Sequence, residues 1–197
     1  MFPLLESIRI YKRKFHNLRY HEERIHRSRL ALMDLDSGLD LERVLSVPEW
    51  VGEGVYKCRV VYDRSVRSIE FTEYSPRKIK SLRLVYDDNI EYPFKFLNRE
   101  RLTELYSRRE NCDEILIVKR GSITDTTFSN VVFYDGGAWF TPSRPLLEGT
   151  KRRQLLDDGL ILERDIRLEE IGDFRKVSLI NAMLDLCDVT VEIGDIS

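Results

Sequence analysis

Four stretches of the 197-residue chain gather side chains able to do chemistry. In Tyr92-Pro93-Phe94-Lys95-Phe96-Leu97-Asn98-Arg99 a lysine stands between aromatic residues. Partial desolvation there lowers an amine's pKa and makes it a better nucleophile toward a carbonyl. A lysine snorkelling out of an apolar patch leaves the same local pattern. Ser122-Ile123-Thr124-Asp125-Thr126-Thr127-Phe128-Ser129-Asn130 sets small hydroxyls around one carboxylate, which suits either a polar ligand or a capped, hydrogen-bonded turn. Glu148-Gly149-Thr150-Lys151-Arg152-Arg153 puts a glycine at the start of an expected helix. Exposed backbone N–H groups beside cations make an anion site there, or else an ordinary basic first turn. In Tyr20-His21-Glu22-Glu23-Arg24-Ile25 the arginine falls on the apolar side of its helix and requires a buried anion, either a ligand or a structural ion pair. His16, His21 and His26 recur every five residues, outside the i,i+3 and i,i+4 spacing of helical metal pairs, so no metal site is expected.

These side chains need a scaffold, and the composition allows one. Apolar residues make up 42% of the chain, enough for a real core in one large domain or two small lobes. The 32 Lys+Arg nearly cancel the 34 Asp+Glu, and a net charge of -2 gives no electrostatic case for nucleic acid or an anionic membrane. The short basic runs Lys151-Arg152-Arg153 and Arg108-Arg109 read as solvated surface. No apolar run approaches the roughly 20 residues of a membrane span. The first residues place their charges after a short apolar stretch, the reverse of a signal peptide. Cys58, Cys112 and Cys187 are odd in number and form no CxxC pair, which suggests free thiols in a reducing cytoplasm.

Residues 4–15 alternate as a strand pair, and residues 20–35 read as a helix with Ile25, Leu30, Leu32 and Leu35 near one stripe. Asp36-Ser37-Gly38 supplies its stop signal. From residue 54 to 86 the period switches to two, with three strands ending at Asp87-Asp88-Asn89. A helix is expected over 99–109 and a buried strand over 114–118. Residues 130–134 and 138–141 flank Asp135-Gly136-Gly137, a hairpin signal in which both glycines suit positive φ. A short helix over 149–158 follows, then strand-like 160–166, a helical turn over 168–174 and a strand over 177–180. The whole reads as α+β, with a first lobe over residues 1–92 and a second over 93–197.

The order of the clusters carries more weight than any one of them. An H-x-x-R-[LI] helix is followed by K-x-x-N-R at mid-chain, then T-[ED]-x-x-x-S-N, then T-P…L-x-G with basic residues, then Asn-Ala-Met. This order resembles the class IV aminotransferases, the fold-type IV pyridoxal phosphate enzymes. That family includes branched-chain and D-amino acid aminotransferases and 4-amino-4-deoxychorismate lyase. The resemblance runs from about Glu6 to Asn181 and is strongest from Lys95 to Arg153.

It implies that Lys95 carries pyridoxal phosphate as a Schiff base, and that Arg24 holds the phosphate together with backbone N–H groups of Thr150 and Lys151 after Gly149. It also implies that Asp125 pairs with the pyridine nitrogen, and that Arg99 stands near the cofactor's phenolic oxygen. Ser129 and Asn130 match the small polar residues before the strand, and Asn181 and Ala182 the last phosphate-side turn. Three departures stand out. An aspartate replaces the usual glutamate, Lys151 replaces a threonine, and the first lobe is short. Implied in turn are a small-molecule amino substrate, lyase or transaminase chemistry, and a homodimer. The K-x-x-N-R cluster favours the lyase. The short lobe and the aspartate leave open a relative that binds without catalysis.

Overall fold

The computed structural model describes residues 3–197, which fold as two compact units. The first holds the chain up to Ser75 together with Phe94–Asn98; the second holds Pro76–Pro93 and Arg99–Ser197. The sequence reading divides the chain between residues 92 and 93, and its first two residues lie outside the described ones. The difference has a physical reason. Residues 82–86 form a parallel ladder with 114–118, which ties the stretch before residue 93 to the second unit. Residues 94–98 instead join the first strand of the chain: Leu5 N–H donates to the Lys95 carbonyl at 2.9 Å and Leu97 N–H to the Pro3 carbonyl at 2.9 Å.

The first unit is a four-stranded antiparallel sheet with two helices. Strand β1 (Leu4–Tyr11) lies between β2 (Lys14–Phe15) and β3 (Tyr56–Tyr62), and β4 (Val66–Glu73) is the far edge. Helix α1 (Leu18–Met33) follows β2, and the single turn α2 (Leu41–Val44) comes next, capped by the Asp40 carboxylate accepting from Arg43 N–H. Alternate residues of β1 are buried, so Leu4, Glu6, Ile8 and Ile10 share one face. That face packs with Ile25 of α1 and with Cys58, Val60 and Tyr62 of β3.

Helix α1 departs from the expected stripe. Its buried residues are His21, Arg24, Ile25, Ser28, Arg29 and Met33, while Leu30 and Leu32 are 45% and 40% exposed. The i,i+3/i+4 face that begins at His21 is mainly polar, so an apolar pattern does not locate it. Buried Arg29 donates to the carbonyls of Ser37 and Gly38 at 2.5 and 2.7 Å and to that of Arg64 at 2.9 Å. The helix stops at left-handed Asp34, before the expected Asp36-Ser37-Gly38 signal.

The second unit contains two sheets. In one, β5 (Leu82–Tyr86) runs parallel to β6 (Glu114–Lys119), which pairs antiparallel with β7 (Ser122–Ile123). Helix α3 (Glu100–Tyr106) lies in the crossover from β5 to β6 and buries Leu102 and Leu105. The other sheet has the order β10-β9-β8-β11-β12, formed by β8 (Asn130–Tyr134), β9 (Trp139–Pro142), β10 (Leu162–Arg164), β11 (Lys176–Ile180) and β12 (Thr190–Glu192). Helix α4 (Thr150–Asp157) joins β9 to β10, with Leu155 buried against Val132 and Ile180. In the β8–β9 hairpin only Gly136 has positive φ, at 111°. The expected second position is not needed, because the Asp135 carboxylate closes the turn by accepting from Gly137 and Ala138 N–H.

Candidate active site

In the first unit, Arg24 projects from the polar face of α1 toward β1. Its Nε donates to Glu6 Oε1 at 2.9 Å, and its Nη2 donates to Oε2. His21, one turn earlier, places Nδ1 2.6 Å from the same Oε2. Glu6 and His21 are completely buried and Arg24 is 6% exposed. Burial alone would push the Glu6 carboxyl up, but the Arg24 charge and the His21 hydrogen bond outweigh it and hold it near 2. Burial holds the His21 ring below its ordinary pKa, with the Arg24 and Lys95 charges adding to the effect. A neutral ring beside an ionised carboxylate carries its proton on Nδ1, and Nε2 is then a buried acceptor with no partner among the described residues.

Lys95 belongs to this same unit. Its carbonyl is held by Leu5, the neighbour of Glu6, and the flanking Phe94 and Phe96 rings meet edge-on with centroids 6.0 Å apart. Both rings pack on the apolar core, and Lys95 itself is half-buried. The K-x-x-N-R cluster is thus divided, because Arg99 belongs to the second unit. There Arg99 precedes α3 and its Nη2 donates to the Thr127 carbonyl.

In the second unit the hydroxyl-rich segment is a tight loop leading into β8. Asp125 and Asn130 face each other across it as an isolated bridge. Asp125 Oδ1 accepts from Asn130 Nδ2 at 2.8 Å, and Oδ2 accepts from the backbone N–H groups of Leu146 and Leu147 at 2.8 and 3.0 Å. The carboxylate is 4% exposed and burial pushes its pKa up to about 6, against the lowering effect of these hydrogen bonds. The loop tip is closed by Ser129 and Thr126, whose hydroxyls lie 2.7 Å apart.

Asn130 joins this loop to the next element. Its Nδ2 also donates to the Leu147 carbonyl at 2.8 Å. A Cβ on Gly149 would fall 2.0 Å from Asn130 Oδ1, so glycine is required there by close approach, not by backbone conformation. Gly149 caps α4, and the first N–H groups of the helix, from Thr150 and Lys151 on, have no intrahelical acceptor. The Lys151 side chain does not reach solvent: its Nζ donates to Asp185 at 2.5 Å and to Gln154 at 2.8 Å. Asn181 turns the chain after β11, accepting from Met183 N–H at 2.8 Å and donating to the Phe128 carbonyl at 3.2 Å, with half-buried Ala182 at the turn.

Sequence reasoning missed Glu6 and Glu114. Glu114 is fully buried at the start of β6, and its Oε1 accepts from Thr127 Oγ1 at 2.9 Å, bracing the Asp125 loop from behind. Its Oε2 lies 4.0 Å from Arg77 Nη1, and Arg77 stacks over Phe128 at 4.6 Å. A cavity of about 180 Å³ opens beside that loop, lined by Arg77, Arg99, Leu102, Thr103, Tyr106 and Thr127. The signal for Glu6 was indirect: a buried arginine demands an anion, but nothing in the sequence says which.

The folded chain has the architecture of the fold-type IV pyridoxal phosphate enzymes, with a short first lobe. A fold IV transaminase from Curtobacterium pusillum aligns with 96% of this chain and 78% of its own at a TM-score of 0.77 and 18% identity, which speaks for the fold alone. The pattern of amino-transferase class IV matches residues 4–191, and the chain belongs to that family. An uncharacterized protein of Haemophilus influenzae is 34% identical over 185 residues, 93% of this chain and 98% of its own. The crystal structure of "a putative 4-amino-4-deoxychorismate lyase" from Haemophilus somnus is similar at 32% identity and a TM-score of 0.85, covering 94% of this chain and 98% of its own. The family is one of pyridoxal phosphate-dependent enzymes acting on small amino substrates, and this chain is such an enzyme.

The residues present fit that cofactor. It needs an amine, an anion-binding backbone and a carboxylate for its ring nitrogen. The chain offers a half-buried lysine, a glycine-capped helix N-terminus, and a buried carboxylate that is hydrogen-bonded only by neutral donors.

Proposed function

We propose that this chain is a lyase of the 4-amino-4-deoxychorismate type, with Lys95 as the lysine that carries pyridoxal phosphate. The observation that carries the cofactor roles is the environment of Asp125. It is a buried carboxylate fixed by three N–H donors, and Asn130 joins its loop to the start of α4. The lyase reading draws on the K-x-x-N-R order and on the similarity to the Haemophilus somnus protein. A Schizosaccharomyces pombe "putative aminodeoxychorismate lyase", 34% identical over 87 residues (42% of this chain, 37% of its own), adds to it.

When bound, pyridoxal phosphate supplies an electrophilic carbonyl and a protonated ring that takes up negative charge from the substrate carbon. Lys95 would hold the group through its amine. The same amine would hold and move a proton at the substrate Cα. Asp125 accepts the hydrogen bond of the ring N–H and keeps that proton in place. Arg24 and the Thr150 and Lys151 N–H groups bind the phosphate dianion, which fixes the ring's orientation. By the resemblance, Arg99 would stand near the phenolic oxygen. Ser129, Asn130, Asn181 and Ala182 shape the polar turns around the cofactor.

The enzyme works as a cytoplasmic homodimer. Support for the cytoplasm is the set of three unbonded thiols, Cys58, Cys112 and Cys187. Support for the dimer is the resemblance to a dimeric family, together with Trp50, 63% exposed and packed edge-on against Tyr56 and Phe71.

The test has two stages. Wild type mixed with pyridoxal phosphate is expected to show a band at about 410–430 nm that Lys95→Ala lacks. Release of pyruvate from aminodeoxychorismate without a keto-acid acceptor then supports the lyase. A strict need for a keto acid makes the enzyme a transaminase, and a wild type without the band contradicts the cofactor assignment.

A further inference from the structure

The Glu6–His21–Arg24 cluster is more elaborate than a single ion pair requires. One carboxylate, completely buried, binds the Nε–Nη2 edge of Arg24 and the Nδ1 of His21 at once. His21 spends one ring nitrogen on this contact, and the other has no partner among the described residues. A buried imidazole held at one nitrogen contributes little apolar packing for its desolvation cost, so its service is to Glu6. Glu6 in turn sets the plane of the guanidinium, and with it the direction of the remaining Arg24 N–H groups. Arginine recognises phosphate through that planar fork, so its orientation decides how well the recognition works.

We propose that Glu6 and His21 are positioning residues for the cofactor phosphate: Glu6 clamps one edge of the Arg24 guanidinium and His21 braces the clamp. This rests on the assignment of Arg24 as a phosphate ligand. Both act through Arg24. The charged and titratable groups around Glu6 and His21 are Arg24 and Arg29 on α1, the Tyr62 phenol on β3, which burial keeps neutral, and Lys95 on the segment joined to β1. Among these, only Arg24 and His21 bind the Glu6 carboxylate directly.

The experiment measures dissociation constants for pyridoxal phosphate and for phosphate-free pyridoxal by equilibrium dialysis, with an unfolding curve for each variant. The ratio of the two constants isolates the phosphate's contribution, which a purely structural role would leave alone. His21→Leu and Glu6→Gln are expected to cut the preference for the phosphorylated form at least tenfold. His21→Asn, whose side-chain N–H can replace Nδ1 as donor to Glu6, is expected to restore most of it. If Glu6→Gln does not fold, His21→Leu and its His21→Asn rescue still decide. Arg24→Gln separates the two claims. If it leaves the ratio at the wild-type value, the phosphate role of Arg24 falls. If it collapses the ratio while folded His21→Leu and Glu6→Gln keep it, only the positioning role falls.

Discussion

Glu6 and Asp125 are both buried carboxylates, one in each unit, yet their surroundings differ in kind. Glu6 is bound by a guanidinium and braced by an imidazole, and these hold its pKa near 2. Asp125 is bound only by an amide and two backbone N–H groups, and burial lifts its pKa to about 6. Among the described residues Asp125 has no ion-pair partner. The first carboxylate is already neutralised by its own unit. The second feels the Arg152 charge only at a distance and has no cation hydrogen-bonded to it among the described residues, and a protonated pyridine nitrogen would be such a direct partner. A buried carboxylate therefore says little by its burial alone; what surrounds it separates scaffold from site.

The largest expected break in this comparison comes from Glu6→Ala. It leaves Arg24 buried without its anion, and removal of one member of a buried pair costs about 3–5 kcal/mol. Denaturant unfolding of the apoprotein checks this. A loss near zero would mean that Arg24 finds another anion.

The pH dependence should separate the two groups by sign. Glu6 titrates lower when folded than its ordinary 4.5, so its stabilisation is present above that pH and is lost as pH falls toward about 2. Asp125 titrates higher when folded than its ordinary 3.8, so apoprotein stability falls as pH rises from there through about 6. Each window carries on the order of 3 kcal/mol. Unfolding curves of wild type, Glu6→Gln and Asp125→Asn across both windows would show each slope vanish in its own variant.

Gly149→Ala probes the link between the Asp125 loop and α4. The new Cβ displaces Asn130, since it would stand 2.0 Å from Oδ1. Overpacking of this kind costs about 1–3 kcal/mol, and cofactor affinity measured by dialysis should weaken with it. The smallest stability change is expected for Asp125→Asn at neutral pH or above, within about 1 kcal/mol. Relief of a buried charge there offsets one lost hydrogen bond. Turnover should nonetheless drop at least about a hundredfold, because a neutral amide does not hold the ring proton.

Much of this was legible in the sequence, and the gaps have physical causes. The β8–β9 hairpin and α4 announced themselves through local turn and cap chemistry. Asp125 stood out as the one carboxylate in a run of hydroxyls. Arg24 announced its need for an anion, but Glu6 lies 18 positions away on a strand whose pairing no local pattern reveals. Leu30 and Leu32 misled because the buried face of α1 is held by ion pairs and carbonyl contacts as well as by apolar packing. The division of Lys95 from Arg99 depends on two ladders, one to β1 and one between β5 and β6, which only the folded chain shows. The contact between Asn130 and Gly149 spans two elements and leaves no local trace.

The most direct measurement is the titration of the Asp125 carboxyl by carbon-13 NMR, with Asp125→Asn to assign the signal, in the apoprotein and with pyridoxal phosphate bound. A pKa near 6 is expected without cofactor, with a fall below the ordinary aspartate value once the pyridinium is beside it. A value unchanged by the cofactor would contradict the claim that Asp125 is the ring's partner.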